Sequence, residues 1–381
     1  MPHVWEGTRF SAWIRLLATH RFAVHPRFLW VAAIITIVSF CHSFLWLIQE
    51  AFLGHRLRRL PTPQDPIFIL GHWRCGTTLL HELLIRDSRH ASPNTYQCFE
   101  PHHFLVSEKF MAVAAPFLMP SRRPMDDMPA GYDRPQEDEF ALCMLGQPSP
   151  YLQIAFPNDP FKDLDSLDHR NLDESGKSRW SGVLANFLRR VAYLHPGKRL
   201  VLKSPPHSAR IGTLLKRFPK AKFIHIVRDP HAMYPSTVRL WKALYRHHAL
   251  QVPDCAQLDR YVFETGRRLF TALEAGKRLI PDGRFVEVRF EEFVQDPIAQ
   301  MRSIYDTLGL GEFAKVESQI RDYFAHAKKV RPNKHANPPE VTEAIEREWG
   351  EIIRHYGYER QSLSSSVNPF APAQPHYAGT P

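Results

Sequence analysis

PIFILGHWRCGTTLLHELL, residues 66–84, is the stretch that decides the fold. Ile67–Leu70 is a short apolar run with the length of a buried strand. Leu79, Leu80, Leu83 and Leu84 then recur at helical spacing. Between them lies a loop of small and basic residues, Gly71 to Gly76. A helix start offers free N–H groups and the positive end of its dipole, so strand, loop and helix together make an anion cradle. A second unit of this build is RLVLKSPPHSARIGTLLKRFPKAKFIHIVRDPHAMYPSTV, residues 199–238. In it Asp229 is a good N-cap and Pro230 a good first helical residue, so Arg228 aims a planar fork beside a helix start. Two such units, each with an Arg, suit a ligand with two separate anionic groups.

Working outward, residues 200–202, 223–227 and 284–289 read as strands, and 186–193, 208–218, 258–279, 298–308 and 341–355 as helices. Residues 88–160 are rich in Pro and aromatics and read as irregular. Strands alternating with helices predict an α/β fold, a parallel sheet with helices on both faces. Pro235 is expected to weaken the helix that carries Ser236, since it removes one backbone bond.

The N-terminal part differs in character. FLWVAAIITIVSFCHSFLWLI, residues 28–48, has no formal charge, and 21 helical residues span about 30 Å, the thickness of a bilayer core. Trp30 and Trp46 lie near its ends; Arg15, Arg21 and Arg27 precede it and Arg56, Arg58 and Arg59 follow. The run is too long and starts too late for a signal peptide. It predicts an N-terminal hydrophobic helix that associates with a membrane, spanning it or lying in its plane. A buried helix is the alternative that Thr36, Ser39, His42 and Ser43 allow. Residues 1–60 are therefore set apart as a basic and hydrophobic membrane-associating segment, 61–361 as the catalytic domain, and 362–381, rich in Ser, Pro and Ala, as a disordered tail.

With 381 residues, 44% of them hydrophobic, the chain can bury a sizeable core. A net charge of +10 favours anionic partners. Nucleic acid is not among those expected, because the basic residues are dispersed and no RNP, zinc-finger or basic-helix pattern occurs. Cys41, Cys75, Cys98, Cys143 and Cys255 are scattered without a C-x-x-C, which argues against a disulfide framework or a zinc knuckle and for a reducing, cytoplasmic compartment.

The first loop has the spacing of an ATP-binding P-loop at Gly71 and Gly76, but Thr77 stands where that loop has its Lys. A P-loop nucleotide kinase is therefore disfavoured. The loop instead resembles that of the sulfotransferases that use 3′-phosphoadenosine 5′-phosphosulfate (PAPS). Arg74-Cys75-Gly76-Thr77-Thr78 is similar to their R-S-G-T-T, and Arg228 with Ser236 eight residues later is similar to their 3′-phosphate motif. The resemblance covers roughly residues 65–310 and implies a P-loop-like fold, PAPS as donor, a hydroxyl acceptor on a glycan, lipid or other alcohol, and no metal. It is closest to the glycan and protein-tyrosine branch. A non-catalytic nucleotide-binding membrane scaffold is the alternative of another class.

The resemblance also implies roles. Lys203, in LVLKSPPH, matches a Lys near the leaving group. Where small-molecule sulfotransferases have a catalytic His, this chain has Pro205, so the base lies elsewhere. Glu100, in CFEPHHF, sits where glycan enzymes place a Glu; Glu137 and Asp138, in the run 137–139, are its rivals, then His102 and His103. Arg331 and Lys334, with His335, form a basic stretch similar to the loop that closes over the nucleotide in this family. Phe99, His102, His103, Phe104, Tyr132, Tyr151 and Trp241 are candidates to line the acceptor site or simply core.

Overall fold

The computed structural model describes residues 3–118, 131–326 and 337–359. Its centre is a parallel sheet of β1 (Ile67–Leu70), β2 (His90–Ala91), β3 (Arg199–Lys203), β4 (Lys222–Val227) and β5 (Phe285–Arg289), in the order β2-β3-β1-β4-β5. The helices around it are α1 (Phe10–Thr19), α2 (Leu29–Arg59), α3 (Thr77–Leu84), α4 (Thr95–Phe99), α5 (Phe104–Leu118), α6 (Asp138–Met144), α7 (Glu174–Leu194), α8 (Ile211–Arg217), α9 (Pro230–His248) and α10 (Leu258–Lys277). They continue with α11 (Phe290–Gln295), α12 (Pro297–Leu308), α13 (Ala314–His326) and α14 (Pro339–His355).

Every residue of β1 is buried, as an unbroken apolar run requires of a central parallel strand. The chain leaves β1 towards β2 and β3 on one side, then crosses to β4 on the other. That reversal makes a switch point, and crevices for ligands open there at the carboxyl ends of the strands. The ends in question are Gly71 after β1, Lys203 on β3 and Arg228 after β4. Both stretches from which the sequence was first read thus converge on one edge of the sheet.

Four of the strands stand where the apolar runs predict them. Residues 88–160 differ: they hold β2 and the helices α4, α5 and α6. Residues 208–218 divide into a 3₁₀ turn at Pro205–Ala209 and the shorter α8, and the helix expected at 186–193 begins earlier, at Glu174, where Asp173 caps Gly176 N–H at 2.7 Å. Pro235 does not interrupt α9. The carbonyl that it leaves without a helical partner, His231 O, accepts from Asn337 Nδ2 at 2.8 Å, so the helix runs on through Ser236.

Residues 29–48 are helical, within α2, and Phe28 closes a 3₁₀ turn at Pro26–Phe28 just before it. The helix is long and apolar enough to cross a membrane, and only 17% of its most apolar stretch is buried. Its exposed side carries Trp30, Ile34, Ile37, Phe40, Phe44, Leu47 and Phe52. The other side packs along its length against the rest of the chain. Trp13 Nε1 donates to Thr36 Oγ1 at 2.9 Å, Gln49 Nε2 to His102 O at 2.7 Å, and Arg190 pairs with Glu50 at 2.5 Å. The segment before it is anchored too: Trp5 is fully buried, and its Nε1 donates to His248 O at the end of α9.

Candidate active site

The loop after β1 holds its shape through two glycines. Gly71 and Gly76 have φ of 145° and 105°. A Cβ on Gly71 would meet Ile226 O at 2.7 Å, and one on Gly76 would meet the Phe290 ring at 2.4 Å. Gly71 N–H donates to Ser208 Oγ at 2.8 Å, which ties the loop to the turn after β3. Arg74 is held at φ 69°, a left-handed conformation that is uncommon without glycine and a mark of functional loops. Its carbonyl accepts from Arg228 Nη1 at 2.8 Å, and its own Nε donates to Ser236 Oγ at 3.0 Å. Arg228 also lies over the Phe290 ring, 4.3 Å from its centre. Arg74, Arg228 and Ser236, assigned from sequence to two separate phosphate groups, therefore share one basin.

Thr77 is buried and Thr78 half-buried at the start of α3. Cys75 turns its side chain into the core, where Sγ donates to His72 O at 2.7 Å and burial pushes the thiol up to about 12. It offers the basin backbone and not a thiolate. A cavity opens from this loop between the end of β4 and α14, lined by His72, His225, Arg228, Met233, Ile352 and Tyr356. Gly266, Leu269, Phe270 and Leu273 of α10 complete its mostly apolar lining, and spacing within the motifs did not reveal it. Arg331, Lys334 and His335 lie outside the described residues.

Lys203, at the end of β3, is buried, and a buried ammonium needs a partner. Glu137 Oε1 accepts from its Nζ at 2.5 Å. The other oxygen of Glu137 accepts from the Tyr151 hydroxyl, which accepts in turn from Trp73 Nε1 at 2.9 Å. Glu137 is the N-cap residue of α6, its side chain partly open, whereas its two neighbours are sealed. Asp138 meets His207 Nε2 at 2.6 Å and accepts from Ser204 Oγ at 2.8 Å. Burial alone would push its carboxyl up, but the charge and hydrogen bond of His207 and the hydroxyl of Ser204 hold it below the usual range. Glu139 takes a two-pronged bond from Arg210, at 2.6 and 3.0 Å, and a third from Ser149 at 2.6 Å. These two buried pairs lock α6 to the turn after β3 and so hold Glu137 against Lys203. The acidic run in the sequence thus splits into one approachable carboxylate and two internal fasteners. The partners Ser204, His207 and Arg210 carry no motif of their own, and only the recurrence of polar residues after a strand hints at them.

Glu100 is brought to a different cluster. Its Oε2 lies 3.1 Å from His42 Nδ1 and 3.2 Å from His103 Nε2, and burial pushes its carboxyl up to about 7. His102 Nε2 is 2.9 Å from Met144 O, fully enclosed and driven well below the usual imidazole range by burial. Burial also brings His103 down to about 4. Tyr151 and Trp241 are buried with Trp73 in one aromatic cluster, so they serve as wall and core.

The profile described as "Sulfotransferase family" matches residues 66–314. The chain is 45% identical over 359 residues to omega-hydroxy-beta-dihydromenaquinone-9 sulfotransferase Stf3 of Mycobacterium bovis, covering 94% of this chain and 92% of that one. In fold it is similar to the crystal structure of sulfotransferase STF9 from Mycobacterium avium, with a TM-score of 0.63, 22% identity and 80% of each chain covered. It is similar also to that of STF1 from Mycobacterium tuberculosis, with a TM-score of 0.60, 15% identity, and 91% of this chain and 94% of the other covered. The loop, the Arg–Ser motif and the switch-point crevice agree with these likenesses: the chain belongs to the sulfotransferase family and is an enzyme that transfers a sulfuryl group.

Proposed function

We propose that this sulfotransferase draws on PAPS and sulfates the hydroxyl of a membrane-resident lipid alcohol, of the kind named for its relative Stf3. The observation that carries the reaction is the Lys203–Glu137 pair at the carboxyl end of β3, beside the loop. In this reading the loop backbone with Arg74, Thr77 and Thr78 holds the 5′-phosphosulfate, and Arg228 and Ser236 hold the 3′-phosphate. Lys203 donates to the oxygen on which charge builds as the phosphate leaves. Glu137 accepts the proton of the acceptor hydroxyl while its oxygen forms a bond to sulfur and the sulfur–phosphate oxygen bond breaks. Asp138 and Glu139 hold this base in place. The protein supplies the cations that Mg²⁺ supplies to kinases.

The lipid part of the reading is supported by α2. Its 31 residues measure about 46 Å, more than a bilayer core of about 30 Å. One side is engaged with Trp13 of α1 at Thr36 and with the catalytic domain from His42 to Arg190's partner Glu50, which favours a helix lying in the interface over one crossing it. Trp30, Ile37, Phe44 and Phe52 would then dip among the acyl chains, beside the leaflet from which the acceptor is drawn. Labelled PAPS offered with vesicles containing an omega-hydroxylated prenyl quinol tests it. Label is expected in the lipid phase, and transfer only to water-soluble phenols or sugars would overturn the acceptor class.

A further inference from the structure

We propose that His42, Glu100 and His103 form a site for one divalent transition metal of the zinc type, which clamps α2 to the catalytic domain. The three residues come from three places: His42 from the middle of α2, Glu100 from the end of α4, and His103 from the turn before α5. Their ligand atoms form a triangle with edges of 3.1, 3.2 and 2.6 Å. Metal bonds of about 2.0–2.1 Å at tetrahedral angles require edges of about 3.3 Å, so two edges already fit. The two rings lie near one plane, their centres 4.8 Å apart and 6° between them, so Nδ1 of His42 faces Nε2 of His103 across the third edge, and taking up a metal turns both rings until their lone pairs converge beside Glu100.

Counting protons shows why a cation belongs there. Ser107 accepts from Tyr96 at 2.8 Å and gives its own hydroxyl proton to His103 O at 2.9 Å. With the Ser107 proton so placed, the 2.8 Å contact between Ser107 Oγ and His103 Nδ1 is a bond that the imidazole donates. In that tautomer His103 carries its proton on Nδ1 and presents Nε2 as a bare lone pair. With Glu100 ionised, as a metal would hold it, at most one proton, on His42 Nδ1, is left to serve both that lone pair and the carboxylate. At 2.6 Å it goes to His103, and Glu100 Oε2, sealed from solvent, accepts no hydrogen bond. A buried group in this state costs free energy, and a metal satisfies all three lone pairs at once. Ser107 is also the outer partner that ligating imidazoles ordinarily have, fixing tautomer and ring orientation. Two imidazoles and one carboxylate suit zinc and its neighbours better than calcium or magnesium. The site is built from groups other than the loop, Lys203 and Glu137, so its role is to fasten the lipid-facing helix.

The test uses the full-length, untagged chain in detergent, stripped with a chelator and titrated with Co²⁺ or Zn²⁺ alone. One metal per chain is expected, with the visible bands of tetrahedral cobalt, bleached by zinc, and a raised melting temperature. His42→Ala and Glu100→Gln should each abolish the bands, and Ser107→Ala should weaken zinc by about 10- to 100-fold with all ligands kept. Binding of adenosine 3′,5′-bisphosphate reports whether each variant is folded. If His42→Ala does not fold, the wild-type titration and Ser107→Ala still decide. Cobalt that keeps its aqueous spectrum with the wild-type chain, or binds undiminished to the folded variants, overturns the site.

Discussion

Lys203 and Glu137, 66 residues apart, share a charge-assisted hydrogen bond of 2.5 Å at the carboxyl edge of the sheet. The bond joins the group assigned to the leaving phosphate with the group assigned to the acceptor proton. Each single change should then act on turnover more than on donor affinity. Lys203→Ala should lower kcat by about 10² to 10³, by analogy with the loss of an oxyanion donor. Glu137→Gln, which keeps shape and loses charge, should lower it by about 10² or more. Steady-state kinetics with separate nucleotide binding checks both; unchanged kcat in Glu137→Gln would return the base to Glu100 or a histidine.

Asp138 offers the contrast. It adjoins Glu137 but is wholly enclosed with His207. Asp138→Asn strands an imidazole in the core, and breaking a buried pair costs about 3–5 kcal/mol. A lower melting temperature is expected, with activity per folded molecule reduced less than in Glu137→Gln. The sign with pH also follows. The native carboxyl titrates below its ordinary 3.8, so its stabilisation is full above that value and is lost as pH falls through the lower one. Acid unfolding of Asp138→Asn should therefore be less steep than that of the wild type.

The basin shared by Arg74, Arg228 and Ser236 predicts a ranking of nucleotides. Adenosine 3′,5′-bisphosphate should raise the melting temperature well above adenosine 5′-phosphate, with about 2.7 kcal/mol of stabilisation at one hundred times its Kd. Arg228→Ala should erase the difference between the two. Equal shifts from both nucleotides in the wild type would remove the 3′-phosphate assignment.

On α2, Ile37 and Phe44 are exposed and far from the loop in sequence. Ile37→Glu or Phe44→Glu removes about 1.5–3 kcal/mol of apolar transfer, so partition into vesicles should weaken by roughly ten- to hundredfold. The soluble fraction should retain nucleotide binding. Sedimentation with vesicles reads the effect, and undiminished pelleting would show that another surface meets the lipid.

How much of this could be read beforehand depended on the range of the interaction. β1, β3, β4 and β5 were legible because each is an apolar run that one strand buries by itself. The short β2 and the helix α4 were not, since two to five residues in a stretch rich in Pro and aromatics show no period, whereas the acidic run 137–139 before an apolar stretch did mark the start of α6. Arg74, Lys203, Arg228 and Ser236 stood out because their loops are local. The pairing of Lys203 with Glu137, or of Glu139 with Arg210, depends on how distant segments meet, and no spacing encodes it. Pro235 was judged by its local cost alone; Asn337, a hundred residues on, offsets it. His42 was visible only as a polar interruption of an apolar run, since its partners lie in another element.

Trp5 and Trp13 are both wholly interred, one against the end of α9 and the other against α2. The part of the chain proposed to face lipid is thus woven into the same folding unit as the phosphate loop, with no slack leash between them. Shedding by a protease would leave an unstable remnant instead of a free catalyst.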